Sequence, residues 1–225
     1  MDPPDIRFSI GRNDLSISAI GLENCIVGSS REEWAEYEQN VFRLIRESTH
    51  LDEIKDDPLF RSYRDLYWSF GMDPTKIRVS SEALLRRILN GENLWRISNV
   101  VDVANLASAY HKLPIGLIDA SKVQGDLVVR SAEKGEVFTR IGGSIRECKG
   151  REIVLADDTK IVCFGFATHD SEFTKVANST TDVIVLLYGA PSVTMAYLDS
   201  STYDTLSMML KWVNCKPSGI QFYKC

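Results

Sequence analysis

The chain has 225 residues, 44% of them hydrophobic, and carries a net charge of −5. That apolar content fills a sizeable core, read here as one domain, while the acidic balance excludes a protein that coats nucleic acid non-specifically, since counterion release needs many cations facing phosphates. Five cysteines (Cys25, Cys148, Cys163, Cys215 and Cys225) lie far apart with no CxxC pair, so neither a zinc site nor a disulfide framework is implied and a reducing cytoplasm is expected.

The start, "MDPPDIRFSIGRND", shows no basic stretch followed by an apolar one, and no apolar run nears the ~18 residues that cross a bilayer, so neither secretion nor membrane insertion is expected. "IRFSI" and "LSISAIGL" alternate as strands around the turn-like "GRND". From Arg31 the period lengthens: Trp34, Tyr37, Val41, Leu44 and Ile45 mark one apolar helical stripe. After "KDDP", "LFRSYRDLYWSFG" predicts a second helix, ended by Gly71 and Pro74. "VSSEALLRRILNG" predicts a third, capped by Ser80 or Ser81, with Glu82 at its positive end, Arg86 and Arg87 toward its negative end and Gly91 as its stop.

A fourth helix is expected from Asn99, with Asp102 completing a capping-box-like start. Val103, Leu106, Ala107 and Tyr110 form its buried stripe, and Asp102 and Asn105 share another face. Beyond Pro114 the pattern turns to strands: "IGLID", "DLVVRSA", "EVFTRI", "EIVLA", "KIVCFGF" and "DVIVLLYG". A helix around Tyr203 to Val213 and a short strand "GIQFY" close the chain. Helices first and strands later predict an α+β fold, with amino-terminal helices packed on a mainly antiparallel or mixed sheet.

Familiar catalytic patterns are absent. There is no GxSxG elbow, no HExxH or comparable metal spacing, and His50, His111 and His169 are scattered. "IGGS" at Ile141 to Ser144 lacks the Walker lysine and reads as a turn. No cofactor and no metal are expected. Lys76, Arg78, Arg86, Arg87 and Arg96, with Arg61 and Arg64 nearby, form the one basic cluster. It is either a solvated face or a surface that orients a structured RNA through its phosphates.

"YRDLYWSFGMDPTKIRVSSEALLRRILNG", followed by "NVVDVANLASAYHKLPIGLIDASKVQGDLVVRSAEKGE", resembles the B3/B4 module, the editing domain of the phenylalanyl-tRNA synthetase β subunit, and especially its free-standing relatives. The resemblance is strong over residues 61–181, while 1–60 and 182–225 agree only in general layout; all are read as one B3/B4-like domain. In the synthetase this domain hydrolyses tyrosine wrongly esterified to the phenylalanine tRNA. The resemblance therefore implies action in trans on a mischarged tRNA, with the amino-acid moiety and the tRNA as partners and no DNA or membrane. It places Asn105 and Pro114 on the amino-acid pocket, with Gly116 where bacterial synthetases often carry histidine, so a donor is lost and volume is gained.

"THDSEFTKVANSTTDV" resembles the family loop that puts Ser171, Glu172, Thr174 and Thr181 on the pocket rim. "CFGFATHD" stands where free-standing relatives carry a tryptophan and arginines, and His169 is a candidate replacement donor there; Trp95 replaces a usual proline and is assigned to packing. An aminoacyl ester is already activated, so a site need only orient it, hold its carbonyl and place a water. Glu172 and Asn105 are the expected catalytic pair, with backbone amides near "PIG" and "DSE" as oxyanion donors. A non-catalytic module that binds an amino acid or an RNA end is the alternative, because fold does not fix activity.

Overall fold

In the computed structural model, which describes residues 3–166 and 168–225, the alternating amino-terminal segments form β1 (Ile6–Ser9) and β2 (Ser16–Ile26). Four helices follow: α1 (Trp34–Ser48), α2 (Pro58–Ser69), α3 (Ser80–Leu89) and α4 (Asn99–His111). Seven short strands come next, β3 (Ile115–Asp119), β4 (Leu127–Ser131), β5 (Lys134–Thr139), β6 (Ile145–Lys149), β7 (Ile153–Ala156), β8 (Ile161–Phe164) and β9 (His169–Asp170). The chain ends with β10 (Val183–Gly189), α5 (Met195–Trp212) and β11 (Asn214–Lys224).

The α+β expectation holds. A four-stranded antiparallel sheet runs β11-β2-β10-β3, and a five-stranded mixed sheet runs β1-β4-β7-β8-β9, with β1 and β4 parallel. A separate hairpin pairs β5 with β6. Every residue of β10 is buried, as its unbroken "VIVLLYG" run requires of a strand covered on both faces. Helices α4 and α5 pack on each other; α5 lies on β2, β10 and β11, and α4 on β3. From α2, the Tyr63 hydroxyl donates to the Tyr188 carbonyl, and the Tyr67 hydroxyl meets Thr168 Oγ1 at 2.7 Å, so one helix fastens both sheets.

Several local expectations are corrected by capping and packing. In α1 the buried face is Trp34, Glu38, Val41, Phe42 and Ile45, whereas Leu44 is exposed. The face shifts because Glu38, a residue the apolar stripe passes over, turns inward to meet Arg96. The cap residue of α3 is Val79, without a side-chain cap; Ser81 donates instead to the Lys112 carbonyl. The start of α4 is capped by Ser98, one residue early, and the Asp102 carboxylate accepts from the Ile97 amide and from Ser30 Oγ. Of its expected buried stripe, Val103, Leu106 and Ala107 are buried and Tyr110 is exposed.

Helix α5 begins two turns before the expected start. Three of its serines and threonines, residues that favour turns, bond back to carbonyls one turn earlier: Thr202 to Leu198, Thr205 to Ser201 and Ser207 to Tyr203. Strand β11 also starts early and contains Pro217, which its place at the sheet edge tolerates. Strands β6 and β9 are additional to the expected set.

Candidate functional site

The stretch "HKLPIGLID" first serves to end a helix. Lys112 takes a left-handed backbone (φ 55°) as the C-cap of α4, Ser108 Oγ donates to the Leu113 carbonyl at 2.7 Å, and buried Pro114 prevents continuation. The chain then enters β3, the edge strand of the four-stranded sheet. Two of its outward amides are occupied. The Leu117 amide donates to Asp170 Oδ2 at 3.2 Å and the Asp119 amide to the Thr174 carbonyl at 2.8 Å, so the segment from Asp170 to Thr174 docks along the edge.

Gly116 suits that docking. A Cβ there would lie 3.0 Å from Asp170 Oδ1 and 3.2 Å from Tyr188 Cε2. The volume expected to open at this position is therefore filled, by a carboxylate and an aromatic ring. Ser171 and Thr174 are fully buried, and Ser171 Oγ accepts from the Phe173 amide at 3.2 Å. Among the described residues, the Tyr188 hydroxyl and Thr174 Oγ1 are buried without a hydrogen-bond partner.

Glu172 leaves this buried row and points to the "IGGS" turn. Gly142 and Gly143 hold φ of 93° and 83°, a conformation suited to glycine, and the Gly142 amide donates to Glu172 Oε2 at 3.0 Å while Lys175 pairs with Oε1. The turn expectation is met, and its amide has a task. The Lys175 bond, then the Gly142 amide, hold the Glu172 carboxyl below its ordinary range, whereas burial pushes Asp170 up to about 6. Two carboxyls two residues apart thus differ in proton affinity, the condition for dividing acid and base work. His169, half-buried beside them, is held below the usual imidazole range by burial and then by Arg140 and Arg146.

The structure therefore gathers Pro114, Gly116, His169, Ser171, Glu172 and Thr174 around the edge of β3. Thr181 lies nearby in sequence and donates to its neighbour Asp182 at 2.9 Å. Asn105 sits half-buried in the middle of α4, and among the described residues no hydrogen bond joins it to the docked segment. Asp170, Tyr188 and Lys175 were not singled out by sequence reasoning. Asp170 directly precedes the "SE" pair in "THDSEFTK", but nothing in the sequence marks it as buried.

The basic cluster is largely committed internally. Arg86 pairs with Glu82 at 2.9 Å, Arg87 with Glu92 at 2.6 Å while stacking over Trp95, and Arg96 with Glu38 through both guanidinium nitrogens at 2.6 Å. Lys76 is exposed and only loosely paired with Asp73 at 3.9 Å, and Arg78 is exposed. A separate cavity of about 380 Å³ opens between α1, the end of α4 and α5, walled by Tyr37, Leu44, Tyr110, His111 and Met208. No group of three or more metal-ligating side chains is assembled among the described residues, and no described helix is long and apolar enough to cross a membrane.

These elements define an α+β domain whose polar groups converge between one edge strand and one acidic loop. The profile of the B3/4 domain matches residues 62–202, well over half of the chain, and the chain belongs to that family. It is 27% identical over 164 residues to the phenylalanine-tRNA ligase beta subunit of Fusobacterium nucleatum, a match covering 71% of this chain and 20% of that protein. It is 34% identical over 115 residues to the corresponding subunit of Nocardia farcinica, covering 51% and 13%. A crystallised N-terminal fragment of the phenylalanyl-tRNA synthetase beta subunit from Pyrococcus horikoshii aligns over 97% of this chain and 50% of its own, with 12% identity and a TM-score of 0.46. The chain thus spans a fifth or less of the length of these curated relatives.

Proposed function

We propose that this chain is an aminoacyl-tRNA deacylase that acts in trans, in the cytoplasm, on a mischarged tRNA. Family membership supports the substrate class. The observation that carries the reading is the docked segment, which sets two carboxyls of unlike proton affinity beside main-chain donors at Leu117 and Gly142. The ester carbonyl takes the Leu117 amide in place of Asp170. The released carboxylate, with a proton affinity near neutrality, accepts a proton from water as the water adds to the carbonyl carbon. The ester C–O bond then breaks and the proton passes to the departing tRNA hydroxyl. Glu172, kept ionised, holds the substrate ammonium, and Asn105 orients the side chain. Lys76 and Arg78, the least committed cations of the basic cluster, meet phosphates first.

Binding without turnover is the second reading, favoured by the filled volume at Gly116. The two separate on a panel of tRNAs, each esterified with a different amino acid and incubated with purified protein. Release of one amino acid, slowed about a hundredfold by Glu172→Ala or Asn105→Ala, is expected, the usual scale for losing one preorganised contact. Saturable binding with no release across the panel would leave the module reading in its place.

A further inference from the structure

The cysteines, scattered in sequence, are not scattered in space. Strands β2 and β11 run antiparallel with Asn214 opposite Ile26, and the next step, where the pairing becomes irregular, brings Cys215 alongside Cys25. The register then shifts, with Lys216 opposite Glu23, because β2 carries Asn24 as an extra residue at φ 54°. The Cys25 amide is turned away from β11 and donates to the Thr181 carbonyl at 2.7 Å. Cys25 therefore meets β11 in the manner of a non-hydrogen-bonded pair, the kind in which opposed Cα atoms of a regular ladder approach to about 4.5 Å and side chains lie closest. That spacing falls within the range of roughly 4.4–6.8 Å that a disulfide spans. Both thiols are free, and each bears on the other's proton affinity, as near neighbours do.

We propose that Cys25 and Cys215 form a redox-closed staple that fastens the edge strand β11 to β2 when the protein meets hydrogen peroxide. Cys215 is partly exposed and Cys25 is buried, so the oxidant reaches Cys215 first. The Cys25 thiol favours the thiolate of Cys215, whereas Cys215 and then burial disfavour that of Cys25. The Cys215 sulfur attacks one peroxide oxygen, the O–O bond breaks, and a sulfenic acid and one water form. The Cys25 sulfur then attacks the Cys215 sulfur, the S–O bond breaks, and a second water leaves with the disulfide in place. Two thiols are oxidised and one peroxide is reduced to two waters.

The staple acts beyond β11. Asn99, first residue of α4, holds the exit of β2 by donating to the Ile26 carbonyl at 2.9 Å and accepting from the Gly28 amide at 3.1 Å. Closure therefore pins the strand end to which the helix bearing Asn105 is attached.

The test treats the purified full chain with one equivalent of hydrogen peroxide, alkylates remaining thiols and analyses non-reduced peptides by mass spectrometry. The expected product joins the Cys25 and Cys215 peptides with the loss of two hydrogens. It also melts roughly 5–10 °C higher than the reduced protein, a gain reversed by dithiothreitol. In Cys25→Ser, the sulfenic acid on Cys215 should persist long enough to be trapped by dimedone. Oxidation of wild-type Cys215 to sulfinic acid with Cys25 still free would overturn the proposal, as would a bond through Cys225 or between two chains. A crosslinked protein that melts no higher than the reduced one would refute the fastening of β11.

Discussion

Replacing Arg96 with alanine is expected to destabilise the fold by about 3 kcal/mol, at the lower end of the cost of breaking a buried ion pair. Glu38 has no exposed side-chain surface, and both its carboxylate oxygens are held at 2.6 Å by Arg96. The alanine variant leaves that carboxylate on the inner face of α1 with its charge unpaired. The guanidinium side chain is itself 44% exposed, so water already screens part of the interaction and the upper end of the range does not apply. Urea unfolding measures the loss. Pairing Arg96→Ala with Glu38→Met should recover most of it, since replacing both partners removes the stranded charge. An unchanged midpoint in Arg96→Ala would return this arginine to the set of cations available for RNA.

Asp170→Asn is expected to act in the opposite direction, stabilising the protein at pH 7 by about 1–2 kcal/mol, a discounted share of the ~1.4 kcal/mol per unit of displacement because the residue keeps some surface. Burial raises the folded-state carboxyl to about 6 from its ordinary 3.8. Below the lower value both folded and unfolded forms are protonated and Asp170 carries no penalty. Between the two values the unfolded form has lost its proton while the folded form retains it, so stability falls as pH rises, and it levels off above about 6. The benefit of Asp170→Asn should therefore grow from pH 4 to pH 6 and stay constant above, read from denaturant midpoints across that window. A benefit independent of pH would mean that packing, not ionisation, is responsible. A carboxylate kept in a site at the expense of stability is the behaviour expected of a group retained for chemistry.

Segments governed by local physics were legible in the sequence. The periods of α1 and α2, the strand run of β10 and the turn at "IGGS" follow from spacing, glycine and proline alone, and the resemblance named residues of both β3 and the docked segment, whereas among the described residues no hydrogen bond joins Asn105, named with them, to that segment. What escaped depended on partners distant in the chain. Glu38 reads as a surface residue until Arg96, 58 positions later, turns it inward. Gly116 reads as an opening until Asp170 and Tyr188 arrive from two other strands to fill it. The same holds for the cations: their count is visible, but their commitment to Glu82, Glu92 and Glu38 is a property of the folded chain.

In the proposed reaction the edge of β3 and the docked acidic segment receive an aminoacyl end. The most direct measurement titrates the isotope-labelled protein with a non-hydrolysable 3′-aminoacylamino-adenosine and follows backbone amide resonances. Saturable shifts at Leu117, Gly142, Ser171, Glu172 and Thr174 are the expected result. Shifts confined to Tyr37, Leu44, Tyr110, His111 and Met208, around the helical cavity, would contradict it.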